Sequence, residues 1–210
     1  MIAIIDYGVG NLFSLRSSFD FIGEEVIVTR DVAELRRADR VILPGVGAFE
    51  DAARKLAETG MRDAVLSETA GGKPLLGICL GMQLLFDRSF EYGEHSGLGL
   101  IPGDVAPIQP LISDDFKIPH IGWNALHFPA DKPKNALFKH LNEGDHVYFV
   151  HSFAAMRNTN GEVVTDAIAT TEYGISLTAA VARGNVYGTQ FHPEKSGDVG
   201  LDILRAFCEV

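Results

Sequence analysis

The sequence has little of what marks several large classes of protein. Its two cysteines, Cys79 and Cys208, are too few in 210 residues for a disulfide framework, so we expect a reducing, cytoplasmic setting. No apolar run approaches the ~18 residues that a membrane-spanning helix needs, and the first apolar run is broken by Asp6 and has no basic leader. We therefore expect a protein that is neither exported nor embedded in a membrane.

Basic residues are also scarce, with 18 Lys and Arg against 28 Asp and Glu and a net charge of −10. No basic cluster interleaves with aromatic residues, which argues against a nucleic-acid partner. Neither H-E-x-x-H nor paired C-x-x-C spacing occurs, so we expect no metal site. Gly8 and Gly10 follow a strand-like run, but Phe13 stands where a dinucleotide-binding loop has its third glycine, and we expect no cofactor.

What is present suffices for a single domain over residues 1–210. A chain of this length with 46% apolar residues can bury roughly 70% of its unfolded surface. Strand-like runs at 2–7, 26–28 and 40–43 alternate with helical patterns at 12–22, 32–37, 50–57 and 61–68. This alternation predicts an α/β fold with a mostly parallel sheet and helices on both faces. Beyond residue 90, glycine and proline separate short extended runs at 105–109, 124–128, 146–150, 163–170, 176–182 and 185–191, which predicts additional β-hairpins. One short helix is expected over 135–141 and a closing amphipathic helix over 200–207.

The segment Leu75 to Leu85 combines a short apolar run, Cys79 and a helical pattern extending over 80–87. It predicts a strand, a one-residue turn and a helix, with Gly77 and Gly81 flanking the turn because a Cβ there would collide with the crossing chain. A cysteine in such a nucleophile elbow lies at a helix N-terminus, which favours the thiolate, and the Leu80 N–H points to where an oxyanion would form. A buried structural cysteine in a glycine-rich turn is the alternative interpretation.

Two other stretches follow apolar strands in the same way. Pro44 to Phe49 contains Gly45 and Gly47, so its N–H groups can face a ligand as an anion cradle or a second oxyanion donor; a plain strand-to-helix turn is the alternative. His192 follows the extended run 185–191, and Glu194, beyond Pro193, can orient its imidazole. In a parallel sheet such positions share the carboxyl edge, where ligands bind.

The remaining histidines are weaker candidates for a base. His120 and His151 stay open as competitors of His192. Four others stand in turn-rich or polar contexts, where solvated or locally bonded histidine is the ordinary outcome: His95, His127, His140 and His146.

These motifs carry a resemblance that runs from the first strand to the last helix. The chain resembles the class I (triad) glutamine amidotransferases in Leu76-Gly77-Ile78-Cys79-Leu80-Gly81-Met82-Gln83 and Phe191-His192-Pro193-Glu194-Lys195-Ser196. Within that superfamily it is similar to the glutaminase subunits of imidazole glycerol phosphate synthases, enzymes of histidine biosynthesis. The motifs are Ile4 to Leu12, Pro44 to Phe49, Pro119 to Asn124 and Tyr148 to Ser152. Thr189 and Phe153 depart from the usual valine and tyrosine, outside the expected triad.

The resemblance implies a flavodoxin-like fold and a glutaminase with a Cys79–His192–Glu194 triad that proceeds through a glutamyl thioester. It implies that the Leu80 N–H and an N–H from Val46–Gly47 hold the oxyanion. Gln83, one helical turn beyond Cys79, is implied to contact the substrate, and Glu91 to meet its α-amino group.

The sequence has no ATP site, P-loop or acceptor domain, so we expect the ammonia to pass to another polypeptide. The resemblance implies that this partner is a (β/α)₈-barrel cyclase that forms imidazole glycerol phosphate and an aminoimidazole ribotide. The single tryptophan, Trp123, lies in a stretch without amphipathic period, which is typical of an interface anchor, although a satellite core position remains an alternative. The resemblance places Trp123, Lys195, Asn11 and Tyr148 against the cyclase.

Three other functions stay open at this point. The chain could be a stand-alone cysteine amidase or peptidase on the same fold, a glutaminase subunit for another acceptor, or a catalytically silent interaction subunit. Assay of the purified chain on glutamine separates the synthase glutaminase, the stand-alone amidase and the silent subunit.

Overall fold

The protein is described over residues 1–210 by a computed structural model containing thirteen strands and six α-helices. The strands are β1 (Ile2–Ile5), β2 (Val26–Thr29), β3 (Arg40–Leu43), β4 (Leu75–Ile78), β5 (Phe86–Ser89), β6 (His95–Ser96), β7 (Ile101–Pro107), β8 (His120–Ala125), β9 (His146–His151), β10 (Phe153–Met156), β11 (Ala167–Glu172), β12 (Ser176–Arg183) and β13 (Val186–Thr189). The helices are α1 (Leu12–Ile22), α2 (Val32–Arg37), α3 (Phe49–Glu58), α4 (Met61–Ala70), α5 (Leu80–Leu84) and α6 (Gly197–Cys208). Short 3₁₀ turns occur at Gln109–Leu111, Ala136–Phe138 and Pro193–Lys195.

Seven strands form the central sheet in the order β11-β12-β13-β4-β3-β1-β2. The five strands from β13 to β2 are parallel, and β12 and β11 add an antiparallel edge. Leu75 in β4 is flanked by Val41 in β3 and Val186 in β13, so these three strands end together at one edge. The predicted mostly parallel α/β sheet is confirmed, and the loops after β3, β4 and β13 become neighbours.

Helices cover both faces because successive strand residues point to opposite layers. Ile4 joins a buried cluster with α1 and α6, whereas Ile5 joins a cluster with α2, α3 and α4. On α1 the buried residues Leu15 and Phe19 are one turn apart, as expected for a helix that buries one stripe. None of the six helices combines the length and apolar character required to cross a bilayer.

The second half adds two smaller antiparallel or mixed sheets, as its glycine- and proline-rich pattern predicts. One has the order β10-β7-β5-β6, and the other is the ribbon formed by β8 and β9. In this ribbon His120 lies opposite His151 and Trp123 lies opposite Tyr148. Adjacent residues alternate between the two sides of a strand, so these two pairs belong to opposite faces of the ribbon.

Several element boundaries differ from the predictions. The helix expected over 80–87 ends at Leu84, because the carbonyls of Leu84 and Leu85 accept N–H groups of Leu98, Leu100 and Ile101. The chain is thereby diverted into β5, which apolar periodicity alone does not predict.

Three further differences occur in the second half. Only one 3₁₀ turn forms within 135–141, where a short helix was expected. The extended run expected at 124–128 is instead β8, which starts at His120 because it pairs with β9. The run expected from 163 is β11 from Ala167, preceded by a turn in which Ala167 N–H bonds the Val164 carbonyl.

The elbow between β4 and α5 requires glycine on both sides, as its sequence predicts. A Cβ on Gly77 would lie 2.6 Å from the Gly81 carbonyl oxygen, and a Cβ on Gly81 would overlap the Leu43 carbonyl oxygen. Both obstacles are backbone atoms, which cannot turn aside as a side chain can. The close approach of β3, β4 and α5 therefore depends on the absence of these two Cβ atoms.

We predict that Gly81→Ala lowers the free energy of unfolding by about 3 kcal/mol or more, or prevents folding, because a methyl group cannot be accommodated against Leu43. Gly71→Ala is the control: Gly71 has an ordinary helical φ of −74°, and the atom nearest to its Cβ would be the Glu68 carbonyl oxygen at 3.3 Å. We expect the control to change stability by about 1 kcal/mol or less. Denaturant unfolding of both variants measures the difference, and equal stabilities would contradict the packing argument.

Candidate active site

Cys79 forms the turn between β4 and α5 with φ of 54° and ψ of −111°, a conformation rare for a residue with a side chain. Its N–H donates to the Thr189 carbonyl at 2.7 Å, and its carbonyl accepts the Gln83 N–H at 3.1 Å. Both backbone groups of Cys79 are thus hydrogen-bonded to neighbouring elements, and these bonds hold the residue at its unusual φ and ψ. The side chain is largely buried but borders a cavity at the carboxyl edge of the sheet.

His192 follows β13 by three residues, and its N–H is held by the Tyr148 carbonyl at 3.0 Å. Its Nδ1 lies 2.9 Å from Glu194 Oε1, and both side chains are no more than 2% exposed. The Nδ1–H donates to this carboxylate, which turns Nε2 toward Cys79. Nε2 is buried without a well-aligned hydrogen-bond partner, so it is available to exchange a proton with the sulfur.

The charge of the His192 imidazole is set by opposing effects. Burial disfavours the imidazolium, but the side chains of Cys79 and Glu194 outweigh burial and raise the pKa of His192 to about 9. At neutral pH the imidazole is therefore mostly protonated. An imidazolium beside a thiol group is the arrangement that stabilises a thiolate nucleophile and can protonate a leaving group.

The competing histidines do not contact the sulfur. His151 directs Nδ1 to the Phe153 carbonyl at 2.9 Å and Nε2 to His120 at 3.0 Å, so both of its nitrogens have other partners. Burial lowers the pKa of His151 to about 3. His192 is thus the histidine that the structure brings to Cys79, and His120 and His151 form a separate pair.

The cavity beside Cys79 has a volume of about 280 Å³. Val46, Gly47, Leu80, Gln83 and Glu91 all border it, so the structure brings the expected oxyanion and substrate residues to one pocket. Leu80 is the first residue of α5, where a helix leaves its N–H without a helical acceptor.

The loop after β3 packs directly on the elbow helix. A Cβ on Gly45 would lie 2.8 Å from the Gly81 nitrogen, and Gly47 has φ of +98°. A backbone that approaches this closely, with a left-handed residue at its end, requires glycine at both positions.

Glu91 and Gln83 already have protein partners. Glu91 Oε2 accepts the Phe49 N–H at 2.6 Å at the start of α3, which leaves its other oxygen for a ligand. Gln83 Nε2 donates to the Phe153 carbonyl and to Gln190 Oε1, both at 3.0 Å. The side-chain oxygen of Gln83, Oε1, remains available to a ligand.

Two side chains near the sulfur were missed by sequence reasoning. Gln190 is fully buried, and its Nε2 lies 3.8 Å from Cys79 Sγ. Its signal in the sequence was a polar residue at the end of an apolar strand, directly before His192. Tyr7 donates its hydroxyl to the Pro44 carbonyl at 2.7 Å, and burial together with nearby Cys79 raises its pKa.

Three of the four expected interface residues lie together outside the pocket. Trp123 is 53% exposed, which excludes the satellite-core alternative, and its ring packs edge-on against Tyr148 at 6.1 Å. Lys195 Nζ lies 5.8 Å from the centre of the Tyr148 ring. Asn11 precedes α1, and its side chain makes no capping hydrogen bond.

The structure offers no group of three or more His, Cys, Asp or Glu side chains arranged to hold a metal ion.

Comparisons with known proteins agree with this geometry. The family model for class-I glutamine amidotransferases matches residues 3–209. Imidazole glycerol phosphate synthase subunit HisH of Wolinella succinogenes is 45% identical, with all of both chains covered. The HisH subunit of Geobacillus thermodenitrificans is 48% identical, covering 100% of this chain and 96% of the relative.

Among solved structures, a glutamine amidotransferase superposes with a TM-score of 0.72 at 20% identity, covering 100% of this chain and 98% of the other. A chain of PurLQS from Thermotoga maritima gives 0.70 at 17% identity, covering 99% and 97%. At such identities the structures establish the shared fold, whereas the family model and the full-length relatives establish descent. The chain belongs to the class-I glutamine amidotransferase family, in the group that contains the HisH subunits of imidazole glycerol phosphate synthase.

Proposed function

We propose that residues 1–210 act as one glutamine amidotransferase domain that hydrolyses L-glutamine to glutamate and ammonia in the cytoplasm. The domain supplies the ammonia to a (β/α)₈-barrel cyclase subunit, which makes imidazole glycerol phosphate and aminoimidazole carboxamide ribotide in histidine biosynthesis. The observation that carries the proposal is the buried His192, bonded to Glu194 on one side and facing Cys79 on the other.

In the first half of the reaction the Cys79 thiolate attacks the side-chain amide carbon of glutamine. The carbonyl oxygen becomes an oxyanion, which accepts hydrogen bonds from the Leu80 N–H and from an N–H of Val46–Gly47. Each such donor contributes about 10²–10³ in rate in comparable enzymes. The His192 imidazolium gives its proton to the amide nitrogen, the carbon–nitrogen bond breaks, and ammonia leaves a glutamyl thioester on Cys79.

In the second half a water molecule attacks the thioester. Neutral His192 accepts the water proton, the carbon–sulfur bond breaks, and glutamate leaves with Cys79 again a thiolate beside an imidazolium. Glu194 keeps the Nδ1–H of His192 bonded throughout and thereby directs Nε2 to the reacting atoms. Gln83 and the free oxygen of Glu91 bind the amino-acid end of the substrate.

The proposed partner surface consists of Trp123, Tyr148 and Lys195, to which the family resemblance adds Asn11. Tyr148 links this surface to the pocket, since its ring lies 6.5 Å from that of His192. A cyclase seated on this surface would cover the outlet of the pocket, and ammonia would pass to it before being protonated in water. Hydrolysis without a partner wastes glutamine, so we expect it to be slow until the cyclase and its ligand are bound.

Replacement of the nucleophile tests the first step. We expect Cys79→Ala and Cys79→Ser to abolish glutamate release without unfolding the protein, because the residue lies in a turn and loses little volume. A glutamine-analogue electrophile should label Cys79 and spare Cys208, since burial raises the pKa of the Cys208 thiol to about 12 and keeps it neutral. Peptide mass spectrometry identifies the labelled residue, and preferential labelling of Cys208 would reverse the assignment.

Replacement of the base tests the proton transfers. His192→Ala should lower kcat by about 10²–10⁴ or more, whereas Glu194→Gln keeps an acceptor for Nδ1–H and should lower it less. His151→Ala is the comparison variant, and the triad is wrong if that change proves the more damaging one.

The same pair of residues fixes a pH dependence. The acylation step needs the protonated imidazole, so kcat/KM of the wild type should fall as pH rises through the His192 pKa of about 9. Glu194 helps to raise that pKa, so in Glu194→Gln the fall should move to lower pH. Steady-state rates from pH 6 to 10 measure this change. If kcat/KM fell at the same pH in Glu194→Gln as in the wild type, the group that titrates there would not be His192.

Assembly is tested by glutamate release with and without the cyclase and its ribotide substrate. We expect a strong increase with both present, and a smaller increase in Trp123→Ala and Lys195→Ala, with isolated variants folded as the wild type is. Phe21→Ala is the control. Phe21 is also exposed, at 74%, but it lies near the C-terminal end of α1, at the other end of the helix from Asn11. Rates that the cyclase leaves unchanged throughout would favour a stand-alone amidase.

A further inference from the structure

Two buried histidines next to the pocket have no part in the proposed reaction. His120 begins β8 and His151 ends β9, and the two residues face each other in the ribbon. His120 is fully buried and His151 is 6% exposed. His120 Nδ1 lies 3.0 Å from His151 Nε2, so the two rings share one hydrogen bond.

The outer nitrogen of each ring must carry a hydrogen. His151 Nδ1 lies 2.9 Å from the Phe153 carbonyl oxygen, which can only accept. His120 Nε2 lies 2.8 Å from Asn124 Oδ1. The orientation of this amide is fixed from its other end, because Asn124 Nδ2 donates to the Glu172 carbonyl at 3.1 Å. A flipped amide would place two oxygens against each other there.

The protonation of the two inner nitrogens, His120 Nδ1 and His151 Nε2, decides whether the rings attract or repel each other. Two neutral rings with hydrogens on their outer nitrogens would direct two lone pairs at each other across 3.0 Å. A third proton between His120 Nδ1 and His151 Nε2 converts this repulsion into a charge-assisted hydrogen bond. The hydrogen-bond chain from Phe153 to Glu172 is satisfied at every atom only with three protons on the four ring nitrogens.

We propose that His120 and His151 hold one shared proton and act as positioning residues that fix the Phe153 carbonyl, and through it Gln83, beside Cys79. The Phe153 oxygen accepts both the His151 Nδ1–H and the Gln83 amide, and Gln83 in turn bonds Gln190, whose amide lies near the sulfur. The proposal rests on the proposed function, since Gln83 is its substrate-binding residue.

The surroundings accommodate one charge and oppose a second. The Tyr173 ring stacks on His120 with centroids 4.0 Å apart, and the Phe149 ring stacks at 5.0 Å, so aromatic faces lie over the cation. Burial lowers the pKa of both histidines, and the charges of His120 and His192 lower that of His151 further, to about 3. Burial thus opposes the first proton as well as a second one, so the bridging hydrogen bond between the two inner nitrogens has to offset that cost for the shared proton to be held.

The other titratable groups around the pair leave the shared proton without a counter-charge. Cys79 and His192 line the same pocket as His151, and Tyr173 directly follows β11 and stacks on His120. Neither Glu172, which contributes its backbone carbonyl, nor Glu91, which also lines the pocket, makes a hydrogen bond or ion pair with either ring. The shared proton is consequently lost as pH rises, and the repelled rings must then give up one of their outer bonds.

The proton itself is observable by NMR of the full chain with ¹⁵N-labelled histidine. At neutral pH we expect a strongly downfield proton that correlates with a nitrogen of each ring, and two further ring N–H signals from the outer nitrogens. This measurement needs no activity, so it distinguishes failure of the inference from failure of the proposed function. Two neutral rings with ordinary, separate N–H signals would overturn the shared proton.

Positioning is tested by kinetics in the complete complex with the cyclase. His120→Phe keeps an aromatic ring between Tyr173 and Phe149 but offers His151 no partner, and we expect the KM for glutamine to rise about tenfold, the effect of one hydrogen bond, with a smaller change in kcat. His120→Asn can donate an amide N–H to His151 Nε2 without a shared proton, and it should restore most of the affinity.

The pH dependence separates positioning from packing. In the wild type the KM for glutamine should increase at the pH where the bridging NMR signal disappears, and in His120→Asn this increase should be absent. A wild-type KM that does not follow the NMR signal, or a His120→Phe variant with wild-type KM, would show that the histidines serve only to fill the ribbon and would overturn the positioning role.

Discussion

The close approach of three backbone segments at the end of β4 is the constraint on which the pocket depends. Gly81 lies against the Leu43 carbonyl, Gly77 against Gly81, and Gly45 against Leu80, each at a distance that a Cβ would prevent. Because the segments cannot separate without exposing the core, Cys79 is held at φ of 54°. The same packing sets the loop of Val46 and Gly47 beside the start of α5. Stability of the elbow and the direction of the thiol are thus consequences of one packing arrangement.

The sheet register converts that local geometry into a site. His192 lies at the sulfur because β13 pairs in parallel with β4, and Gly188 is opposite Gly77. A Cβ on Gly188 would be 2.7 Å from the Met82 side chain, so the small residue also admits α5 onto the sheet. The His192 imidazole is then hydrogen-bonded to Glu194, two residues away in the same turn, so this contact does not depend on the placement of distant segments. Only the pairing of β4 and β13 must be correct for the three side chains to meet.

The difference between contacts within a local segment and contacts between distant segments explains which features the sequence could predict. The elbow, the loop glycines and the His192–Glu194 turn are local patterns whose residue types follow from local geometry, and the alternating first half specifies the parallel sheet. The diversion after Leu84 and the start of β8 at His120 depend on hydrogen bonds to distant segments, which no local periodicity records. Gln190 and Tyr7 were missed for the same reason. A buried amide and a buried hydroxyl acquire their roles only from partners brought by the fold.

The ribbon of β8 and β9 shows how one local pattern can carry two kinds of contact. Alternation directs the exposed Trp123 and the half-buried Tyr148 to the outer face, where aromatic rings suit a partner, and directs His120, Asn124 and His151 inward, where every polar atom needs a bond. The inward residues end at the Phe153 carbonyl that also holds Gln83. The two faces of each strand share that strand's backbone, so the outer aromatic pair and the inner hydrogen-bond chain belong to the same two segments. The ribbon therefore contributes both to the proposed partner surface and, through the Phe153 carbonyl, to the contacts of Gln83.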